Sequence, residues 1–209
     1  GYDVTSGYNN VALGGSALVN LTSGYDNVAI GNQAGDAITS TKYVTLVGRN
    51  AGGAINHTDA DGTVAIGYQA GSAITTGRYN VVLGYNAFDA ATELDANTLI
   101  GHEAGTNLSG SAGATYNTHV GYKAGLQQTN KGYNTSIGAQ AGYANGGNTS
   151  VNVGYNAGYS FTGHDSVFIG KSAGESATLF YSAVVIGTYA GRYLAAAGSN
   201  ATIVGNLAG

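Results

Sequence analysis

The feature that most constrains this chain is a block that returns along its whole length. It reads Val or Thr, a free position, an aliphatic, Gly, two free positions, Ala and then usually Gly. The central glycines are Gly14, Gly31, Gly48, Gly67, Gly84, Gly101, Gly121, Gly138, Gly154, Gly170, Gly187 and Gly205, spaced 16 to 20 residues apart. Self-similarity at a period of about 17 residues is the signature of a solenoid, in which each repeat buries its apolar face only by stacking on its neighbours. The expected fold is all-β: a single repeat domain over residues 1–209, forming a parallel β-solenoid, or β-roll, of about 12 coils.

Each column of the repeat carries its own expectation. Val or Thr stands three residues before every Gly, and Leu, Ile or Val one residue before it. On a strand these two columns share one face, which is expected to be the core. Ala stands three residues after every Gly and marks a narrow corner, where the glycines allow sharp turns with positive φ. Seven residues after the Gly the chain reads Leu21, Ile38, Ile55, Ile74, Ala91, Leu108, Gln128, Asn145, Phe161, Ala177 and Leu194. This column predicts a second short strand, so that each repeat supplies two strands and two turns. Asn recurs four residues before the Gly, where it turns the chain into the strand and can form amide ladders between coils.

Composition agrees with a ladder throughout. Of 209 residues, 36 are Gly and none is Pro, Cys, Met or Trp. Pro has no N–H to give a ladder, and without Cys there is no disulfide or thiol chemistry. Charged residues make up 9%, the net charge is −4 and the seven Lys and Arg are scattered, which argues against nucleic acid or an anionic membrane as partner. No apolar run approaches a membrane span, and no motif calls for a cofactor. The missing initiator Met is expected of a fragment or a processed product.

Between the two expected core columns lies one that should point outward and be polar. It reads Ala12, Ala29, Leu46, Ala65, Val82, Leu99, His119, Ser136, Asn152, Phe168, Val185 and Ile203. Its nine apolar members form a stripe that is expected to be a lateral interface between chains, the alternative being a loop folded over it. His119, Ser136 and Asn152 are consecutive in the column, and the polar Gln128 and Asn145 fall nearby, so coils seven to nine read as a weak zone. At a symmetry axis these three would meet their copies in a hydrated polar pocket; otherwise the rods splay apart there.

Motifs that suggest chemistry are weak. Gly170-Lys171-Ser172-Ala173-Gly174 matches a nucleophile elbow, but it lies in register with the repeat and no helix follows. Asn56 to Gly62 has alternating Asp residues without the later ligands of a calcium loop and reads as a solvated turn. Asn-x-Ser/Thr triplets begin at Asn20, Asn56, Asn107, Asn134, Asn148 and Asn200, several of them in the Asn column. No catalytic or metal site is expected. Among 16 Tyr, Tyr68, Tyr85, Tyr122 and Tyr155 follow the central Gly directly. They suit contact with sugars or proteins, or simply stiffen the rod by stacking.

The phrases N-V-A-I-G-N-Q-A-G at Asn27 to Gly35, G-T-V-A-I-G-Y-Q-A-G at Gly62 to Gly71 and G-Y-N-N-V-A-L-G at Gly7 to Gly14 resemble known repeats. They are similar to the head repeats of YadA-like trimeric autotransporter adhesins and equally to repeats preceding chaperone-type tips in phage tail fibres. The resemblance spans essentially the whole chain. It implies a left-handed parallel β-roll, three chains side by side around an axis, and an extracellular place on a bacterial surface or a virion tail fibre. The expected function is a non-enzymatic structural or adhesive fibre segment, a rigid spacer or receptor-binding shaft. Its partners would be its own copies in a homotrimer, then a cell-surface glycan or protein receptor. Two other readings stay open. An ice- or mineral-binding solenoid would repeat a hydroxyl residue in an outward column. A glycan-cleaving spike would need paired acids, and the three Glu and eight Asp show no obvious pair.

Overall fold

From Gly14 to Asn200 each coil contains four described residues with left-handed backbone angles, which leave room for only a very short strand. After Val64–Ile66, for example, Gly67, Gln69, Gly71 and Tyr79 have φ of 138°, 53°, 60° and 58°. Gly67 also shows why the central column admits no other residue. A Cβ there would stand 2.3 Å from the carbonyl oxygen of Gly84 in the next coil. The same approach recurs from coil to coil, so the glycines form a seam of touching backbones.

The computed structural model describes residues 5–56, 60–90, 92–108, 114–128, 131–193 and 195–209. Twelve strands of three residues form one sheet: β1 (Val11–Leu13), β2 (Val28–Ile30), β3 (Thr45–Val47), β4 (Val64–Ile66), β5 (Val81–Leu83), β6 (Thr98–Ile100), β7 (Thr118–Val120), β8 (Thr135–Ile137), β9 (Val151–Val153), β10 (Val167–Ile169), β12 (Val184–Ile186) and β14 (Thr202–Val204). All neighbours pair in parallel and column for column, as in Val64↔Val81 and Ile66↔Leu83. The chain is therefore an all-β parallel solenoid.

The second predicted strand mostly does not form. Its column is nonetheless core: Leu21, Ile38, Ile55, Ile74, Leu108, Gln128, Asn145, Phe161 and Ala177 are all buried, while Ala91 and Leu194 lie outside the residues described. These residues close a tight turn, the Ile38 and Ile55 N–H groups donating to carbonyls three residues back at 3.1 Å. Among the described residues a second strand appears only as β11 (Thr178–Tyr181) and β13 (Ala195–Ser199), which pair in parallel by themselves.

Asn is the hinge of six of the twelve coils, at Asn10, Asn27, Asn80, Asn97, Asn117 and Asn134. The Asn80 amide donates to the Leu94 carbonyl at 2.8 Å, and its Oδ1 accepts from the Asn97 backbone N–H at 3.0 Å. The relay passes from Asn97 to Asn117, Asn134 and Ser150, with all five residues buried. Each bond satisfies a buried backbone group that a corner would otherwise leave unpaired.

These Asn residues set the phase of the strand, and the phase is opposite to the expected one. The column four before the Gly, Asn in half of the coils, is buried from Asn27 to Ala183, and the residue two positions on must share its inward face. Ala29, Leu46, Ala65, Val82, Leu99, Phe168 and Val185 are accordingly buried inside their own coils, so they are core and not a lateral interface. Ala12 and Ile203, in the first and last strands of the sheet, are exposed and half-buried. The inner column tolerates Ala to Phe because a glycine opposite makes room. A Cβ at Gly174 would stand 2.2 Å from the Phe168 ring, and one at Gly52 2.7 Å from Leu46.

His119, Ser136 and Asn152 are likewise fully buried within the chain, in place of the axial pocket expected of them. They divide the apolar core into two blocks, one from Ala17 to Ala114 and one from Ala157 to Ala190. Asn152 donates to Ser136 Oγ at 3.3 Å, and Gln128 to the Gly142 carbonyl at 3.0 Å. Both His119 ring nitrogens, Asn145 Nδ2 and Asn152 Oδ1 have no hydrogen-bond partner in the protein.

Candidate functional site

Because the middle column turns inward, the columns on either side of it turn outward. One reads Val or Thr at all twelve positions and the other Leu, Ile or Val. Together they form a two-residue-wide strip along the twelve-stranded sheet, aliphatic but for Thr45, Thr98, Thr118, Thr135 and Thr202, with no charged residue in either column. Leu83 is 41% exposed and Ile137 42%, and every other member is at least partly exposed. Soluble chains rarely leave so long and largely aliphatic a strip open to water. The outward columns thus have the property first expected of the inner one, and the signal for them was the burial of the Asn column beside them.

Beside this strip the residues that follow the central Gly form an aromatic ladder. Tyr68 and Tyr85 stack at 5.1 Å between ring centres, Tyr85 and His102 at 5.1 Å, and His102 meets Tyr122 at 5.4 Å. Cations close both ends, Arg49 over Tyr68 at 5.9 Å and Lys123 over Tyr122 at 5.2 Å. With the ring faces occupied, only edges and hydroxyls face solvent, so these rings stiffen the rod better than they platform a sugar. Tyr155 is exposed but is not a rung of this ladder. Further stacked pairs, Tyr8 with Tyr25 and Tyr143 with Tyr159, follow the same rule of one ring per coil.

The remaining motifs resolve into structure. Ser172 is a buried corner residue with φ of 53°, its N–H bonded to the Tyr155 carbonyl. Asn134 is fully buried in the amide relay and is closed to a glycan in the folded chain. Of the Asn56 to Gly62 insert, residues 57–59 lie outside those described; Asp61 pairs with Lys42 at 3.4 Å. Among the described residues no three His, Cys, Asp or Glu gather as metal ligands would, and no helix is long and apolar enough to cross a membrane.

Burial pushes the His119 imidazole down to about 4, with Gln128 and the Thr118 backbone acting in the other direction. It is therefore neutral inside the coil near pH 7. No family model matches the chain, and neither a curated protein nor a solved structure matches it.

Proposed function

We propose that this chain is a non-enzymatic fibre segment that associates side by side as a homotrimer through its outward sheet face. In this reading it is a rigid spacer or receptor-binding shaft outside the cell, on a bacterial surface or a virion tail fibre. The observation that carries it is the charge-free strip of Val, Thr, Leu and Ile along the sheet. Twelve strands at the usual spacing make this strip roughly 55 Å long. Closed rotational symmetry buries the strip of every copy equally, which an open head-to-tail contact does not. The resemblance to trimeric adhesin heads and tail-fibre repeats points the same way and adds a left-handed roll. Sedimentation equilibrium tests the assembly. A species three times the 20.8 kDa chain is expected, and a monodisperse monomer overturns it.

One observation favours a second reading. Thr98, Thr118 and Thr135 stand side by side on β6, β7 and β8 in the outward column, and a flat face with repeated hydroxyls is what ice binding needs. Thermal hysteresis separates the two, since a face buried between chains is closed to ice. None is expected.

A further inference from the structure

On one side of the rod, where the chain approaches β8 to β12, side chains give way to glycine and a half-open cleft of about 200 Å³ appears. Its walls include Lys131, Asn148, Thr162, His164 and Tyr181, with Gly147 at its floor. Gly147 is required there, because a Cβ would fall 1.7 Å from the Gly163 carbonyl oxygen.

Among the described residues, the cation in this cleft is the one with neither a carboxylate nor a ring as partner. Lys42, Arg78, Lys123 and Arg192 each meet a carboxylate, on Asp61, Asp95, Glu103 and Glu175 respectively. Arg49 and Lys171 lie over the rings of Tyr68 and Tyr189. That accounts for six of the seven basic residues, and Lys131 has no such partner among the described residues.

Other groups narrow the ligand. The N–H groups of Gly146, Gly147 and Thr162 already donate to the Phe161 carbonyl, Asn145 Oδ1 and the Ala177 carbonyl, so these three are not offered to a phosphate. Asn148 Oδ1 accepts from the Gly132 N–H at 3.1 Å, which leaves its NH₂ as the donor. His164 is held by Asp165 at 2.7 Å, and its ring meets Tyr181 edge to face at 4.4 Å. Tyr181 is 40% exposed, so this pair makes an aromatic wall with a hydroxyl. The volume is below the roughly 300–1,000 Å³ of pockets for drug-sized ligands and suits one ring.

A lone ammonium, an amide donor and an aromatic wall around a space for one ring match a sugar bearing a carboxylate. We infer that this cleft binds one acidic pyranose, a uronate residue of a surface polysaccharide. The carboxylate meets Lys131 and Asn148, and the C–H face of the ring lies on Tyr181. The inference rests on the proposed fibre reading for where such a polymer is met, but binding itself needs only one chain.

Titration of the full chain with glucuronate, a short oligogalacturonate, glucose and inorganic phosphate, followed by calorimetry or NMR, tests it. Saturable binding of both uronates is expected, with glucose weaker by about tenfold or more. Lys131→Ala and Tyr181→Ala should each weaken uronate binding about tenfold, and Lys131→Arg should retain it. Absence of uronate binding, unchanged binding in Lys131→Ala, or equal binding of phosphate overturns the site. Binding of the free sugar alone overturns the polysaccharide as its source. Sedimentation of the same samples reports the trimer separately, so failure of one claim does not pass for failure of the other.

Discussion

At the scale of the residue, this fold depends on backbone angles more than on side-chain chemistry. Gln69 and Tyr79 accept left-handed angles at a cost of about 1 kcal/mol or a little more each, which stacking recovers. Gly67 cannot be exchanged in the same way, since its φ of 138° and its contact with the Gly84 carbonyl both exclude a Cβ. Gly67→Ala is expected to destabilise the chain by about 3 kcal/mol or more in urea unfolding. Gly15→Ala is the control. Its Cβ would meet only the end of the Asn32 side chain, at 3.0 Å, and a change within about 0.5 kcal/mol is expected.

At the scale of the element, the three coils around β7, β8 and β9 stand apart from the rest. Elsewhere aliphatic and aromatic side chains stack on the inner face, whereas here the stack is His119, Ser136 and Asn152. Each buried polar atom without a partner forgoes about 1–3 kcal/mol relative to water, so this joint is the weakest stretch of the core. It is also acid-sensitive. His119 titrates near 6.5 in the unfolded chain and near 4 in the folded one, so the unfolded state takes up the proton first as pH falls. Stability is full above about pH 6.5 and declines through the window down to about 4, by about 3 kcal/mol from this residue. His119→Leu, which continues the Leu99 position, should remove that contribution. Melts at fixed protein concentration from pH 7.5 to 4.5 should show the variant gaining on the natural chain as pH falls. A constant difference would count against the account.

At the scale of the whole molecule, the two faces of the sheet separate folding from assembly. Leu99 is fully buried inside its coil, and Leu83 is 41% exposed on the outward strip. Leu99→Asp places an unpaired carboxylate in the core and should abolish the β-sheet circular dichroism signal. Leu83→Asp should retain the signal while shifting the sedimenting species from three chains toward one. A folded trimer in Leu83→Asp would remove the strip from the interface.

Much of this was legible in the sequence. The period, the parallel ladder, the Ala corner and the Asn relay all follow from short-range rules repeated coil after coil, and repetition makes a weak local preference unambiguous. Identity of columns also sets the register, since any slip would mismatch every coil. The inward direction of the three-residue strand was not legible. Both sets of columns are apolar, and a strand of alternating small and large aliphatics reads equally well either way round. That choice is made by the closed coil. The Asn80 and Asn97 side chains must reach carbonyls across the turn, which brings Val82 and Leu99 inside with them and leaves Leu83 outside. The cleft beside Lys131 was illegible for a related reason, because its walls come from separate coils and adjoin only when these stack.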